Sequence, residues 1–526
     1  MTCHPDRATF LEKAALGNVV PVWRELIADQ ETPVSAYERI RRALREQDHA
    51  SHTFLLESVE GGENVGRYSF IGGTPRAILR AWGRRTEVRH ADGTRTAWED
   101  TDPLEALKRY MARFRPVRDP ALPRFTGGAV GFLGYDCIAQ FEPRVPVRTD
   151  AALRAPDMVF MVTDALVIFD RVRHTIRIVA NAFIEDDPGR AYDGALRTIA
   201  ALTEALEAPM PRHLTDIHEP QPPVEPQSNM TPGEYAEAVE KAREYIRAGD
   251  IIQTVLSQRF QVDFTGDSID VYRALRLVNP SPYMFLLDLG ESAMVGSSPE
   301  IHVRGEERHV EVRPIAGTRP RAADPVEDLR LERELLADPK ERAEHIMLVD
   351  LARNDLGRVC APGSVRVPEL MVVERYSHVM HIVSDVVGEL APGRDGFDLM
   401  RATFPAGTVS GAPKIRAMEI NAELERSRRG PYAGAVGYFS FDGNVDSCIT
   451  IRTIILDEGR AYVQAGAGIV ADSDPGREYE ETRNKARAMM KALSLSRVFS
   501  EARTTTRTSG MDGRRSRSVR TLNPEP

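Results

Sequence analysis

Two acid-bearing stretches have the spacing to act on one small anion. In ERAEHIMLVDLARNDL, Glu344 heads a stripe made by Leu348, Leu351 and Ala352, because residues four and seven apart on a helix share a face. Its carboxylate is therefore expected to point inward, which is costly unless the group is paired, hydrogen-bonded or bound to a metal. In REYEETRNKARAMMKAL, Glu478, Glu481, Asn484 and Lys485 share a face with Ala488 and Met489. Acids with no Cys or His cluster suit Mg²⁺, a hard ion that takes one or two carboxylates and keeps positions for waters and substrate. The same spacing also fits two surface helices with i,i+4 ion pairs, and spacing does not decide between them.

Several segments could receive an anion. Arg452 in ITIRTII lies within a β-branched run, where a guanidinium needs an anion to offset its desolvation. Gly466 and Gly468, in VQAGAGIVADSDP, follow a strand-like run and would let backbone N–H groups approach a carboxylate, although a plain turn explains them as well. PIAGTRPR and FPAGTVSGAPK join small residues to Arg or Lys, and neither is a GxxxxGK[ST] phosphate loop. His381, in SHVMHIVSDVV, reads either as a satisfied core histidine or as a group in a site.

The elements that must hold these groups form a mixed pattern. Residues 209–227 carry six prolines and no apolar periodicity, which reads as a linker. It separates an N-terminal unit, 1–208, from a unit over 231–498, with 209–230 as the joint. Runs such as HTFLLESV, MVFMVTDALVIF and CITIRTIILD read as strands, and DPLEALKRYMARF as a helix. The second unit opens on a helix that Thr231 caps, with Pro232 in its first turn and Tyr235, Val239 and Ala242 as its stripe. The fold class is α+β, with strands and helices in separate layers.

With 42% hydrophobic and 28% charged residues, the 526-residue chain is that of a globular protein. No run nears the ~20 apolar residues of a membrane span, and MTCHPDRATF lacks the layout of a signal peptide, so a cytoplasmic protein is expected. A net charge of -9 argues against nucleic acid as a main partner. The four cysteines form no close pair and read as free thiols. Residues 499–526 are basic and poor in apolar residues, and are expected to be a disordered tail.

Taken in order, PIAGTRPR, EHIMLVDLARNDLGR, SHVMHIVS, FPAGTVSGAPK, GPYAGAVGYF, IRTI, QAGAGIV and EETRNKA resemble the patterns of the chorismate-utilising enzyme family over 231–498. LLESVEGGENVGRYSFIG and GGAVGFLGYD resemble the accessory domain of its amino-accepting members. The resemblance implies a two-lobed sandwich of antiparallel sheets and helices, with the site between the lobes. It assigns Mg²⁺ to Glu344 and Glu481 with Glu478 nearby. It gives the substrate's carboxylates to Gly317, Thr318, Tyr432, Arg452, Gly466, Ala467, Gly468 and Lys485. Glu300, in SSPE, corresponds to the acid that protonates the departing C4 hydroxyl, and His381 to the histidine beside the ring.

Within that family, relatives that activate water carry a lysine where IIQTVLSQR offers Gln253, and aminodeoxychorismate synthases carry PIKGT where this chain has Ala316 in PIAGT. The resemblance thus implies ammonia as the direct nucleophile and anthranilate and pyruvate as products. An aminodeoxychorismate-forming subunit, an anthranilate-forming enzyme of secondary metabolism without feedback, and a catalytically silent sensor are the alternatives. No cysteine lies in the glycine-flanked context of an amidotransferase nucleophile, so ammonia is expected from a separate glutamine amidotransferase subunit, in a heterotetramer. Ser58 in LLES, beside Glu57, and Pro282, Tyr283 and Met284 in NPSPYMF match effector-binding elements, which implies inhibition by tryptophan.

Overall fold

A computed structural model describes residues 2–46, 52–59, 66–148, 155–210, 224–376 and 379–512, the side chains up to 500. Most of the proline-rich stretch, the GGENV part of the N-terminal motif, Ser377, His378 and the tail from 513 lie outside the described residues. The backbone of the last helix, Pro475–Asp512, continues past 498 into the segment expected to be tail.

The helix Pro232–Arg247 shows how local chemistry starts an element. The Thr231 side chain accepts from the Glu234 N–H while the Glu234 carboxylate takes the Thr231 N–H, a full capping box, with Pro232 in the first turn. Tyr235, Val239 and Ala242 are fully buried.

Two twelve-stranded antiparallel sheets carry the fold, and both draw strands from either side of the proline-rich stretch. The first runs Val19–Ile27, Thr175–Phe183, Ala165–Asp170, Tyr68–Gly73, His52–Glu57, Tyr283–Leu289, Ser292–Ser298, Thr453–Asp457, Arg460–Ile469, Gln253–Asp263 and Gln227–Ser228. The second runs Ile315–Pro320, Val379–Glu389, His309–Val312, Ile301–Glu306, Val445–Ile449, Ala435–Ser440, Gly128–Leu133, Met158–Thr163, Ala77–Trp82, Arg85–His90 and Arg95–Trp98. Gly411–Ala412 and Arg366–Arg375 complete them as side branches.

Period-two alternation divides each strand between two cores. Phe54, Phe70, Phe132, Phe285 and Tyr438 meet between the sheets. Leu55, Met284 and Leu286 face the other way, against helices 33–46, 188–207, 268–278 and the last helix. Helices 103–111, 339–357 and 396–403 cover the outer face of the second sheet. The result is the expected α+β sandwich of antiparallel sheets and helices, four layers deep. Among the described residues no helix is long and apolar enough to cross a membrane.

Candidate active site at the strand crossovers

The run read as one strand, CITIRTIILD, is two. Val445–Ile449 belongs to the second sheet and Thr453–Asp457 to the first, and Arg452 sits in the step between them with φ of 49°. A left-handed backbone at a non-glycine residue is strained and persists only where its surroundings impose it. Glu300 occupies the mirror step, between Ser292–Ser298 of the first sheet and Ile301–Glu306 of the second. The steps are tied together: the Ser297 N–H donates to the Arg452 carbonyl at 3.1 Å and the Ile449 N–H to the Glu300 carbonyl at 3.1 Å.

Both side chains open into a cleft of about 590 Å³. Strands Gln253–Asp263 and Arg460–Ile469 supply Gln253, Gly466 and Gly468, and the second sheet supplies Ala316, Gly317, Thr318 and His381. Helix 339–357 adds Lys340, Glu341 and Glu344, while the last helix adds Glu478, Glu481 and Lys485; Tyr432 and Thr408 complete the wall. All the expected catalytic and metal positions therefore line one space. Of the expected substrate-binding positions Ala467 alone does not line it, because alternation along its strand turns its side chain into the core with Tyr235 and Leu256. Gly466 and Gly468 lie inside the strand, not after it. A Cβ at 466 would come 2.7 Å from the Tyr432 hydroxyl, and one at 468 would come 2.5 Å from the Gln253 amide.

Burial pushes the Glu300 carboxyl up to about 7, against the opposing pull of the Thr408 hydroxyl, the Ile315 N–H and Arg452. At neutral pH it still carries a proton on a large share of molecules. Desolvation lowers the Arg452 guanidinium, and the charged neighbour acting on it is Glu300 itself. An anionic ligand would satisfy it. His381 Nδ1 lies 3.0 Å from the Gly317 carbonyl, which can only accept, so Nδ1 holds the proton and Nε2 is the basic nitrogen. Burial lowers its pKa, keeping the ring neutral. Gly317 takes φ of 70° at an irregularity in the strand pairing, which sets Thr318 against His381 at 3.1 Å.

The opposite wall is acidic. Glu344 accepts from the Gln253 amide at 3.2 Å, and Glu481 pairs with Lys485 at 2.8 Å. Lys485 also donates to the Gly466 carbonyl at 2.9 Å. Burial raises Glu341 and Glu478, and the neighbouring carboxylates Glu344 and Glu481 add to it, while Arg319, 3.2 Å from Glu341, pulls that acid the other way. The Glu481 side chain is 47% exposed, so it stands on an open rim instead of in a core. Five carboxyl groups line the cleft against Lys340, Arg452 and Lys485. With oxygen donors alone and excess negative charge, the residues fit a hard divalent cation. Among the described residues no three such side chains already converge at ligand spacing. Sequence reasoning passed over Glu341, although it lies three residues before Glu344 and so on the same face. It also passed over Thr408, which no spacing marks.

A second cavity, of about 360 Å³, lies between the sheets and is lined by Ser58, Pro282, Tyr283 and Met284 together with Arg67, Tyr68, Arg304, Tyr438 and Asp446. The Tyr283 hydroxyl donates to Asp446 and accepts from Arg304, each at 3.0 Å. Met284 is 1% exposed and packs in the core on the sheet's other face. Glu57 is committed to the Tyr272 hydroxyl at 2.8 Å and to Arg276 twice at 3.0 Å.

A four-layer sandwich with an acid and an arginine at twin crossovers defines a class: the family described as chorismate binding enzyme matches residues 51–491, and the chain belongs to it. It is 48% identical over 484 residues to anthranilate synthase component 1 of Aquifex aeolicus, covering 92% of this chain and 96% of that one. It is 47% identical over 496 residues to the Pseudomonas putida protein of the same name, at 93% and 98% coverage. Within the family it thus groups with anthranilate synthase component 1. The crystal structure of component I from Streptococcus pneumoniae superposes with a TM-score of 0.72 at 39% identity, covering 82% of this chain and 94% of that one. The menaquinone-specific isochorismate synthase of Escherichia coli shares the fold, with a TM-score of 0.67 at 18% identity and 92% and 99% coverage.

Proposed function

We propose that the cleft converts chorismate and ammonia to anthranilate, pyruvate and water, in the route to tryptophan. The observation that carries this reading is the buried Glu300, with its raised pKa, facing the same space as Arg452 and the acidic wall. Arg452, Lys485, Tyr432 and the backbone at Gly317, Thr318 and Gly466–Gly468 hold the substrate's two carboxylates. Glu344 and Glu481, with Glu478, would hold Mg²⁺, whose charge offsets that of a dianion entering an already acidic site. Glu300 gives its proton to the C4 hydroxyl as that group departs, while ammonia bonds to C2. Neutral His381 is the acceptor for the later C2 proton, and loss of the enolpyruvyl group as pyruvate makes the ring aromatic. Ala316 offers the ring no nucleophile, and Gln253, which donates to Glu344, cannot serve as a base toward water. Incubation with chorismate, Mg²⁺ and ammonium, followed by fluorescence and mass analysis, is expected to show anthranilate. Accumulation of isochorismate or 4-aminodeoxychorismate would overturn the assignment.

The ammonia is read as coming from a separate amidotransferase subunit of a cytoplasmic heterotetramer. Cys137, Cys360 and Cys448 are buried, and burial raises all three thiols, Cys360 to about 11. Cys3 is raised as well. None is an activated thiolate. The purified chain is expected to use ammonium and not glutamine; glutamine hydrolysis by the chain alone would reject the division of labour.

The inter-sheet cavity is read as the tryptophan site, since its volume falls in the range of small-molecule pockets and Tyr283 with Tyr438 can pack an indole. Glu57, Asp446 and Glu306 all face this space and each is already paired with an arginine, so the ligand's ammonium would share one of these acids with its present partner. The packing runs on from this cavity to the helix that bears the acidic wall. Glu57 grips helix 268–278, whose Arg273 lies 4.2 Å over Phe499 of the helix that carries Glu478 and Glu481. Ser58→Phe is expected to raise the tryptophan concentration for half-inhibition by roughly tenfold or more, as filling the pocket costs at least ~1.4 kcal/mol of binding. An unchanged inhibition curve would remove Ser58 from the site, and indifference of the wild type to tryptophan would favour an enzyme of secondary metabolism.

A further inference from the structure

We infer that Thr408 is a positioning residue for Glu300, its hydroxyl holding the acid's carboxyl in the orientation that delivers a proton into the cleft. The inference rests on the reading of Glu300 as the proton donor. Thr408 Oγ1 donates to Glu300 Oε1 at 2.7 Å across 108 residues of chain. While it does so, the carboxyl proton is carried by the other oxygen, so the hydroxyl selects which oxygen acts as the acid. Glu300 is 5% exposed and is also held by the Ile315 N–H, so Thr408 is the side-chain donor that, with that main-chain group, keeps the carboxyl in one rotamer.

The turn that presents Thr408, Gly407–Val409, is itself held at both ends by cations, the largely covered Lys414 and the buried Arg429. Lys414 Nζ donates to the carbonyls of Thr403 at 3.1 Å and Pro405 at 2.7 Å, and pairs with Asp355 at 2.7 Å. On the far side Arg429, paired with Glu425, donates to the Val409 carbonyl at 2.7 Å. The Ser410 hydroxyl closes the turn on the Ala406 carbonyl at 3.0 Å. Charges taken out of water are expensive to place, and here both cations are used on the main chain flanking a three-residue turn that sets Thr408 and Val409 on the cleft, Thr408 bringing the polar side chain. A preset hydroxyl then costs the reaction no reorganisation. Arg452, from the second crossover, is the charged group that faces Glu300, and like Thr408 it favours the ionised form.

The test compares Thr408→Val, which keeps the shape and drops the hydroxyl, with Thr408→Ser, which keeps the hydroxyl, and with Glu300→Gln. Steady-state rates with chorismate, Mg²⁺ and ammonium are taken across pH, and folding is checked by circular dichroism. Thr408→Val is expected to lower kcat about tenfold, the size of one lost hydrogen bond in the transition state, with KM within about twofold. Its high-pH limb should move to higher pH, because a donor that favoured the carboxylate is gone. Thr408→Ser should restore both. Wild-type kcat and pH profile in Thr408→Val, beside an inactive Glu300→Gln, would overturn the inference alone. So would a Thr408→Ser variant as impaired as Thr408→Val. A near-normal Glu300→Gln would remove the acid role and the inference with it. If Thr408→Val does not fold, Thr408→Ala takes its place in the same comparison.

Discussion

Glu344→Gln and Glu481→Gln are each expected to lose Mg²⁺-dependent turnover by roughly 10²-fold or more while keeping the native circular dichroism spectrum, since a bound metal contributes several kcal/mol to transition-state charge stabilisation. The amide keeps the shape of the carboxylate and removes the charge that would hold the ion. Neither position supports the core: Glu344 is half-buried on helix 339–357, and Glu481 is on the rim. The Gln253 amide that donates to Glu344 can find the new carbonyl oxygen instead, which limits collateral damage. Mg²⁺ titration of the rate is the measurement. Retention of Mg²⁺-dependent turnover in both variants would show that the ion is held elsewhere.

Glu300→Gln is expected to slow turnover by about 10² to 10⁴, the usual span for general acid assistance. The pH dependence gives an independent check. Burial is the largest influence on Glu300 and raises it to about 7, so the free enzyme holds the useful, protonated form below that value and loses it as pH rises through it. Wild-type kcat/KM should therefore fall above about pH 7, and a residual rate in Glu300→Gln should lack that limb. A limb that persists unchanged in the variant would belong to another group.

Much of this architecture was legible in local sequence. The capping box at Thr231 and Glu234 needs only residues three apart, so the start of that helix is decided by nearest neighbours. Of the stripe expected on helix 339–357, Leu348 and Ala352 are buried, while Leu351 and Glu344 are only half-buried, the buried face being turned toward His345, Val349 and Leu356. The acidic, oxygen-only character of the wall follows from residue types alone. Free, unactivated cysteines were also expected from their number and separation, and burial explains why they stay so.

Other features depend on which strand lies beside which. An apolar β-branched run reads as one strand whether or not it changes sheets, so nothing local marks the step at Arg452, whereas Pro299, which cannot donate to a ladder, does mark the step at Glu300. The pairing of Met284 with Glu57, and of Phe285 with Leu56, joins segments on opposite sides of the proline-rich stretch. Such partners are chosen by complementary faces over long loops, information that no window of sequence contains. The Glu300 pKa is a property of that assembly, because the group is buried at a step between the two sheets and is acted on by Thr408, Ile315 and Arg452 from other segments. Sequence by itself thus determined the family, the helix faces and the kinds of groups available. Tertiary structure decided that Ala467 points to core, that Glu57 is spent on Tyr272 and Arg276, and that Thr408 meets Glu300, because each is settled by a partner distant in the chain.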